Sequence, residues 1–170
     1  MVNKRFLLRI LIMVLVFGMT VIGCDDDPEE EEIEPGKESS VVKYAGNGHS
    51  YQVLDRRTTW TRAKKYCEEK GGYLATITSS YEQTFIVNLL QKEGQKNVYW
   101  IGGYCGSDRV FKWVTGEPFE YTNSFSPDNT GGKEDKLQIY RNNGTWNDSE
   151  DVPDPNESWW YVLGFICEWD

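Results

Sequence analysis

Four oxygen-bearing side chains stand in two short segments of the chain. Asp128 and Glu134 fall in SPDNTGGKED (126–135), and Asn147 and Asp148 close TWND (145–148). Ca²⁺ is a hard cation that gathers about 6–8 oxygens from carboxylates, amide carbonyls and water at roughly 2.3–2.6 Å. These residues offer three carboxylates and one amide oxygen, a large part of such a shell. Gly131-Gly132 lets the first segment fold back on itself, and Gly144 opens the short strand that carries the second. Composition alone would leave the first segment as a hydrated loop, because Ser, Pro, Asp, Asn and Gly are the usual turn residues. The choice between solvated loop and metal cage depends on the elements around it.

Other chemistries find less support. His49 is the single histidine, and in Gly-His-Ser ahead of a first strand it reads as a hydrogen-bonded edge residue. Nucleophilic catalysis by Ser or Cys needs a base within hydrogen-bond reach, and no Cys–His or Ser–His–Asp set has a local signature here. Glycoside hydrolysis needs two carboxylates about 5–10 Å apart. Composition does not exclude that, but a metal accounts better for the acids of the long loop. The expectation is a binding protein, not an enzyme. From residue 43 onward the chain carries 14 basic and 18 acidic residues with no basic stripe, which argues against nucleic acid as a partner.

The chain opens MVNKRFLLRILIMVLVFGMTVIGC, with Lys4, Arg5 and Arg9 ahead of an apolar run ending at Ile22. That is the layout of a secretory signal peptide. Val21-Ile22-Gly23-Cys24 resembles the bacterial lipobox, which implies a signal peptide at 1–23 and lipidation of Cys24. The product would be an exported, membrane-anchored bacterial lipoprotein, held to a lipid bilayer through that cysteine. Residues 25–42 carry nine acids and one Lys, a formal charge of −8. Such a block has little to bury, repels itself and stays extended, so 24–42 is expected to be a lipidated, disordered acidic tether. Acids directly after the lipidated Cys favour display at the cell surface over the periplasm. Residues 43–170 then form one domain by length.

Of the cysteines, Cys24, Cys67, Cys105 and Cys167, none makes a CxxC pair, which argues against a structural zinc site. With Cys24 lipidated, three remain, so one stays unpaired or bonds another chain; Cys105 reads as buried and free. Tyr51-Gln52-Val53-Leu54 alternates as a strand. Trp60, Ala63 and Cys67 mark one face of a helix, capped by Thr58 or Thr59 and ended by Gly71 or Gly72 in the left-handed conformation. Tyr73–Ile77 returns to an extended pattern. A second helix opens at Ser79-Ser80-Tyr81-Glu82 with capping-box spacing, buries Phe85, Ile86, Leu89 and Leu90, and stops at Gly94. Strands follow at 98–103, 110–114, 137–140 and 159–169. Helices first and strands later predict an α+β class. Trp60, Trp100, Trp113 and Trp146 lie at strand or helix spacing and read as core. Between Trp113 and Leu137 there is no periodicity, and a stretch that long without structure is usually functional or disordered.

In this order the pieces resemble the C-type lectin-like domains. The resemblance runs from Gly48 to Glu168. It rests on NGHSYQV, W-x-x-A-x-x-Y-C (60–67), GGYLATI (71–77), WIGG (100–103), F-K-W-x-x-G (111–116), TWND (145–148) and FICEW (165–169). It implies two helices with small antiparallel sheets, a long ligand-bearing loop, and a Cys67–Cys167 disulfide. In sugar-binding members a Glu-Pro-Asn or Gln-Pro-Asp tripeptide, a later Glu and Trp-Asn-Asp hold one Ca²⁺, whose shell two adjacent sugar hydroxyls complete. By that match Asp128, Glu134, Asn147 and Asp148 hold the metal, and Asp128, Glu134 and Asn147 also hydrogen-bond the sugar. Pro127 matches the family's cis proline, and Asp128 leans toward galactose-type diols. Ser126 departs, standing where the family has Glu or Gln. A short hydroxyl there leaves the place to water and lowers affinity, or removes the site. Lys136 and the region near Trp159 stand where many members carry a second disulfide, so that bracing bridge is absent. The implied partner is a glycan or glycoprotein bound through Ca²⁺. The alternative is a Ca²⁺-independent protein-binding adhesin on the same scaffold.

Overall fold

The structure, a computed structural model, describes residues 35–125, 127–151 and 163–170. The signal peptide at 1–23, Cys24, the start of the acidic tether, Ser126 and Trp159-Trp160 lie outside the described residues. Among the described residues no helix is long and apolar enough to cross a membrane.

Helix α1 (Trp60–Glu69) buries Trp60, Ala63 and Cys67, the face its spacing predicts. Thr59 caps it, its side chain accepting from the Arg62 amide at 3.2 Å. Gly71 ends it at φ 77°, an angle glycine takes without the penalty a Cβ brings. Helix α2 (Ser80–Glu93) is capped by Ser79, whose Oγ accepts from the Glu82 amide at 3.2 Å. The reciprocal half of the expected capping box moves one residue: Glu82 Oε2 accepts from the Thr78 amide at 2.8 Å. The cause lies in the interior, where Glu82 Oε1 is held 2.5 Å from the Tyr51 hydroxyl. Ile86, Leu89 and Leu90 are buried, while Phe85 is half-buried and stacks on Tyr44. Replacing Ser79 with Ala is expected to cost about 1 kcal/mol, read as a lower urea midpoint at unchanged slope.

The strands are β1 (Val42–Lys43), β2 (Ser50–Leu54), β3 (Tyr73–Leu74), β4 (Val98–Cys105), β5 (Phe111–Trp113), β6 (Lys136–Tyr140), β7 (Trp146–Ser149) and β8 (Leu163–Trp169). They follow the path β1-β2-β8-β4-β6-β7, with β3 on β8 and β5 on β4. The expectation of small antiparallel sheets is corrected in one respect: β4 and β8 run parallel, pairing Val98 with Leu163 and Trp100 with Phe165. A parallel strand is ordinarily covered on both faces and reads as a continuous apolar run. β4 meets that condition, since Val98 and Trp100 join one core cluster and Tyr99 and Ile101 the other. Successive strand side chains point to opposite faces, so the two clusters sandwich β4. Trp60, Trp100, Trp113 and Trp146 are all buried, as expected.

The tether ends earlier than residue 42. Asp55 N donates to Lys37 O at 2.8 Å and Ser39 N to Val53 O at 2.9 Å. β1 then pairs Val42 with Tyr51 along the β2 edge. The acid run has thinned by this point, and the last of its acids, Glu38, pairs with Arg56. With self-repulsion gone, the backbone is free to add to the sheet. Cys67 and Cys167 form a disulfide with a Cα–Cα distance of 5.5 Å, tying α1 to β8. Cys105 is free and buried, and burial pushes its thiol above the ordinary value.

Candidate metal centre

β7 carries Asn147 and Asp148 and pairs with β6, placing Leu137 opposite Asp148 and Gln138 opposite Asn147. The base of the long loop is fastened between strands: Asp135 N donates to Ser149 O at 3.2 Å, and Cys105 N to Asp135 O at 2.9 Å. Beyond that base a single 3₁₀ turn, Thr130–Gly132, reverses the chain. Gly131 and Gly132 take φ 73° and 77° there, the fold-back that the glycine pair predicts. Asp128 and Glu134 are thereby brought beside Asp148. One carboxylate oxygen from each of the three lies within 4.8 Å of the other two.

Asp148 is fully buried. Its Oδ1 accepts from the Asp128 amide at 3.2 Å and its Oδ2 from the Asn129 amide at 3.1 Å. Asn129 adopts φ 49° to make this contact, a left-handed conformation that Asn tolerates better than most residues. Thr130 N donates to Asp128 Oδ1 at 3.1 Å and Glu134 Oε2 at 2.6 Å, and Thr130 Oγ1 reaches Asp128 Oδ1 at 2.9 Å. Glu134 N donates to Asn129 Oδ1 at 3.2 Å.

These contacts divide the acids. The hydroxyl and amide of Thr130 hold the Asp128 carboxyl below its ordinary range. Glu134 is pushed up to about 7, first by burial, then by its hydrogen bond to Asp128 and the charges of Asp148 and Asp128. Three carboxylates converging in a partly desolvated site favour keeping a proton on one of them, unless a cation supplies the missing charge. The donor set is all oxygen, the chemistry that suits a hard divalent cation. The residues present therefore fit Ca²⁺.

The fourth expected ligand, Asn147, adjoins Asp148 on β7 and is half-buried, its amide nitrogen donating to the Asp148 carbonyl. Ser126 and the Ser126–Pro127 peptide bond lie outside the described residues. Sequence reasoning missed Arg109, whose Nη1 donates to Glu134 O at 2.6 Å and whose Nη2 lies 3.4 Å from Asp148 Oδ2. No local signal marks a contact between residues 25 and 39 positions apart. His49 is hydrogen-bonded, as expected, with Nδ1 2.6 Å from Glu168 Oε1.

The family model of the Lectin C-type domain matches residues 56–168. The chain belongs to the C-type lectin domain family. Its sequence is 29% identical over 148 residues to a protein named Lectin from Pleurodeles waltl, the match covering 82% of this chain and 83% of that one. Its fold is similar to the carbohydrate-recognition domain of the mouse scavenger receptor C-type lectin, at TM-score 0.63 and 25% identity, over 76% of this chain and 95% of that one. It is also similar to the Ca²⁺-independent C-type lectin SPL-2 from Saxidomus purpuratus, at TM-score 0.60 and 27% identity, over 78% and 92%. C-type lectins are in general binding proteins without enzymatic activity. Membership accounts for the ordered motifs, the two helices and the long loop.

Proposed function

We propose that this C-type lectin domain binds carbohydrate through Ca²⁺ held by Asp128, Glu134 and Asp148, with Asn147 beside them. The observation that carries the reading is the convergence of three carboxylate oxygens within 4.8 Å at the base of the long loop. Bound Ca²⁺ would supply a positive centre whose shell two adjacent sugar hydroxyls complete. The chain's own work is positioning: the Asp128 and Asn129 amides fix the Asp148 carboxylate, and Thr130 fixes Asp128 against Glu134. Asp128, Glu134 and Asn147 then accept or donate hydrogen bonds to the hydroxyls. No covalent bond is made or broken.

Calorimetry at millimolar Ca²⁺ is expected to give a binding heat that an Asp148→Ala variant loses. The same heat in both proteins sinks the assignment. Binding on a glycan array is expected to vanish in EDTA. A second reading, Ca²⁺-independent recognition of a protein partner by the same surface, is favoured by Arg109, a cation already present at the cage. Chelator-insensitive binding to a protein, with no glycan bound, decides for it.

The setting we propose is the outer face of a bacterial cell, with lipid on Cys24 and the acidic segment as spacer. The relatives named above are eukaryotic, and this part of the proposal rests on residues 1–24. Protease treatment of intact cells is expected to release the domain, and its retention rules out surface display.

A further inference from the structure

Asp148 is a buried carboxylate, and a buried charge is costly unless it is paired and hydrogen-bonded. Its partners arrive from two sides. The long loop supplies the Asp128 and Asn129 amides, and the turn between β4 and β5 supplies Arg109. Both approaches use a non-glycine residue in the left-handed region, Asn129 at φ 49° and Arg109 at φ 57°. An Arg takes such a backbone uncommonly, and it persists only where its surroundings demand it. The turn is closed behind Arg109 by its own amide, which donates to Gly106 O at 3.0 Å. On the other side the guanidinium lies 6.0 Å from the centre of the Phe111 ring, which packs edge-on against Phe125 of the long loop.

We infer that Arg109 is a built-in cation of this cage: a positioning residue that clamps the long loop to β7 when no divalent metal is bound. One nitrogen of its fork takes the Glu134 carbonyl and another faces the Asp148 carboxylate, so one side chain holds the loop and β7 together. A planar fork spans two acceptors in fixed geometry, which the single point charge of Lys does not. The loop is thereby already folded for its ligand, and the metal adds to an arrangement that the guanidinium keeps. The clamp itself does not depend on the Ca²⁺ reading; the interchange of metal and guanidinium does.

The test is amide hydrogen exchange in EDTA on the full chain. In the wild type the amides of Asp128, Asn129 and Thr130 are expected to be protected. In Arg109→Gln they are expected to exchange about tenfold faster, as for loss of a charge-assisted contact that closes a local opening. The Ala75 and Gly102 amides, bonded within the core, should be unchanged, which reports that the variant is folded. Arg109→Lys keeps the charge and the turn, and is expected to recover only part of the protection. Unchanged exchange at the three amides in Arg109→Gln, or full recovery by Lys, overturns the clamp. Adding Ca²⁺ to Arg109→Gln should restore protection. If protection is lost and Ca²⁺ does not restore it, Arg109 keeps its role and the metal assignment fails instead.

Discussion

Removing the Cys67–Cys167 bridge is expected to lower the stability of the domain by about 4–5 kcal/mol. The two cysteines are 100 residues apart, so the bridge removes the freedom of nearly the whole domain in the unfolded state. Chain entropy puts a loop of that length at about 4.7 kcal/mol. Domains of this size are stable by only about 5–15 kcal/mol in total, so the change consumes much of the margin. Both sulfurs are fully buried, so the clean comparison is the Cys67→Ala, Cys167→Ala pair, which leaves no orphaned polar group. The measure is urea unfolding of that variant beside the wild type with and without reductant. The two wild-type curves should separate and the variant should follow the reduced one. A loss under about 1 kcal/mol would mean that the unfolded chain is already held compact, and that the bridge is not what joins the ends of the fold.

The disulfide was legible because the family motifs fix both cysteines in order, and the same order located the acids of the loop. α1 was legible from Trp60, Ala63 and Cys67 alone, since a helix buries a face whose spacing is written locally. Three features were not legible, for one shared reason. The β4–β8 pairing is parallel, Arg109 reaches Glu134 and Asp148, and Glu82 turns inward to Tyr51. Each is a contact between segments far apart in sequence, where residue type permits many partners and only the packed fold selects one. Glu82 is instructive. Its spacing from Ser79 predicts a capping box correctly at the amide, yet the carboxylate answers to a stronger demand in the core. The tether's end was not legible, for a different reason: charge composition cannot say at which residue the sheet edge captures the chain.

That inward-turned cluster yields the second large effect, and it is opposite in sign to ordinary acid denaturation. Tyr51 Oη lies 2.5 Å from Glu82 Oε1 and 3.0 Å from Glu168 Oε1, and accepts from Asn47 Nδ2 at 2.8 Å. One phenolic hydrogen cannot serve both acids, so the second contact is best made when Glu168 itself carries a proton. Glu168 is fully buried, and burial pushes its carboxyl up to about 7 from 4.5, against the opposing hydrogen bonds of His49 and Thr76. His49 is raised above 6.5, chiefly by its hydrogen bond to Glu168. The two groups titrate together, and both bind a proton more tightly folded than unfolded. Stability from this source is present below the unfolded carboxyl value and is lost as pH rises through about 7. Over pH 5 to 8 in EDTA the loss is expected to be about 3 kcal/mol, since each tenfold gain in proton affinity on folding is worth about 1.4 kcal/mol. Glu134 adds to the slope in the same direction, so the discriminating variant is Glu168→Gln, whose neutral amide stands in for the protonated acid. It should match the wild type near pH 5 and exceed it near pH 8 in urea unfolding. A Glu168→Gln protein no more stable than the wild type at pH 8 would show that the buried carboxylate carries its charge without cost, and that the Tyr51 contact does not need the proton.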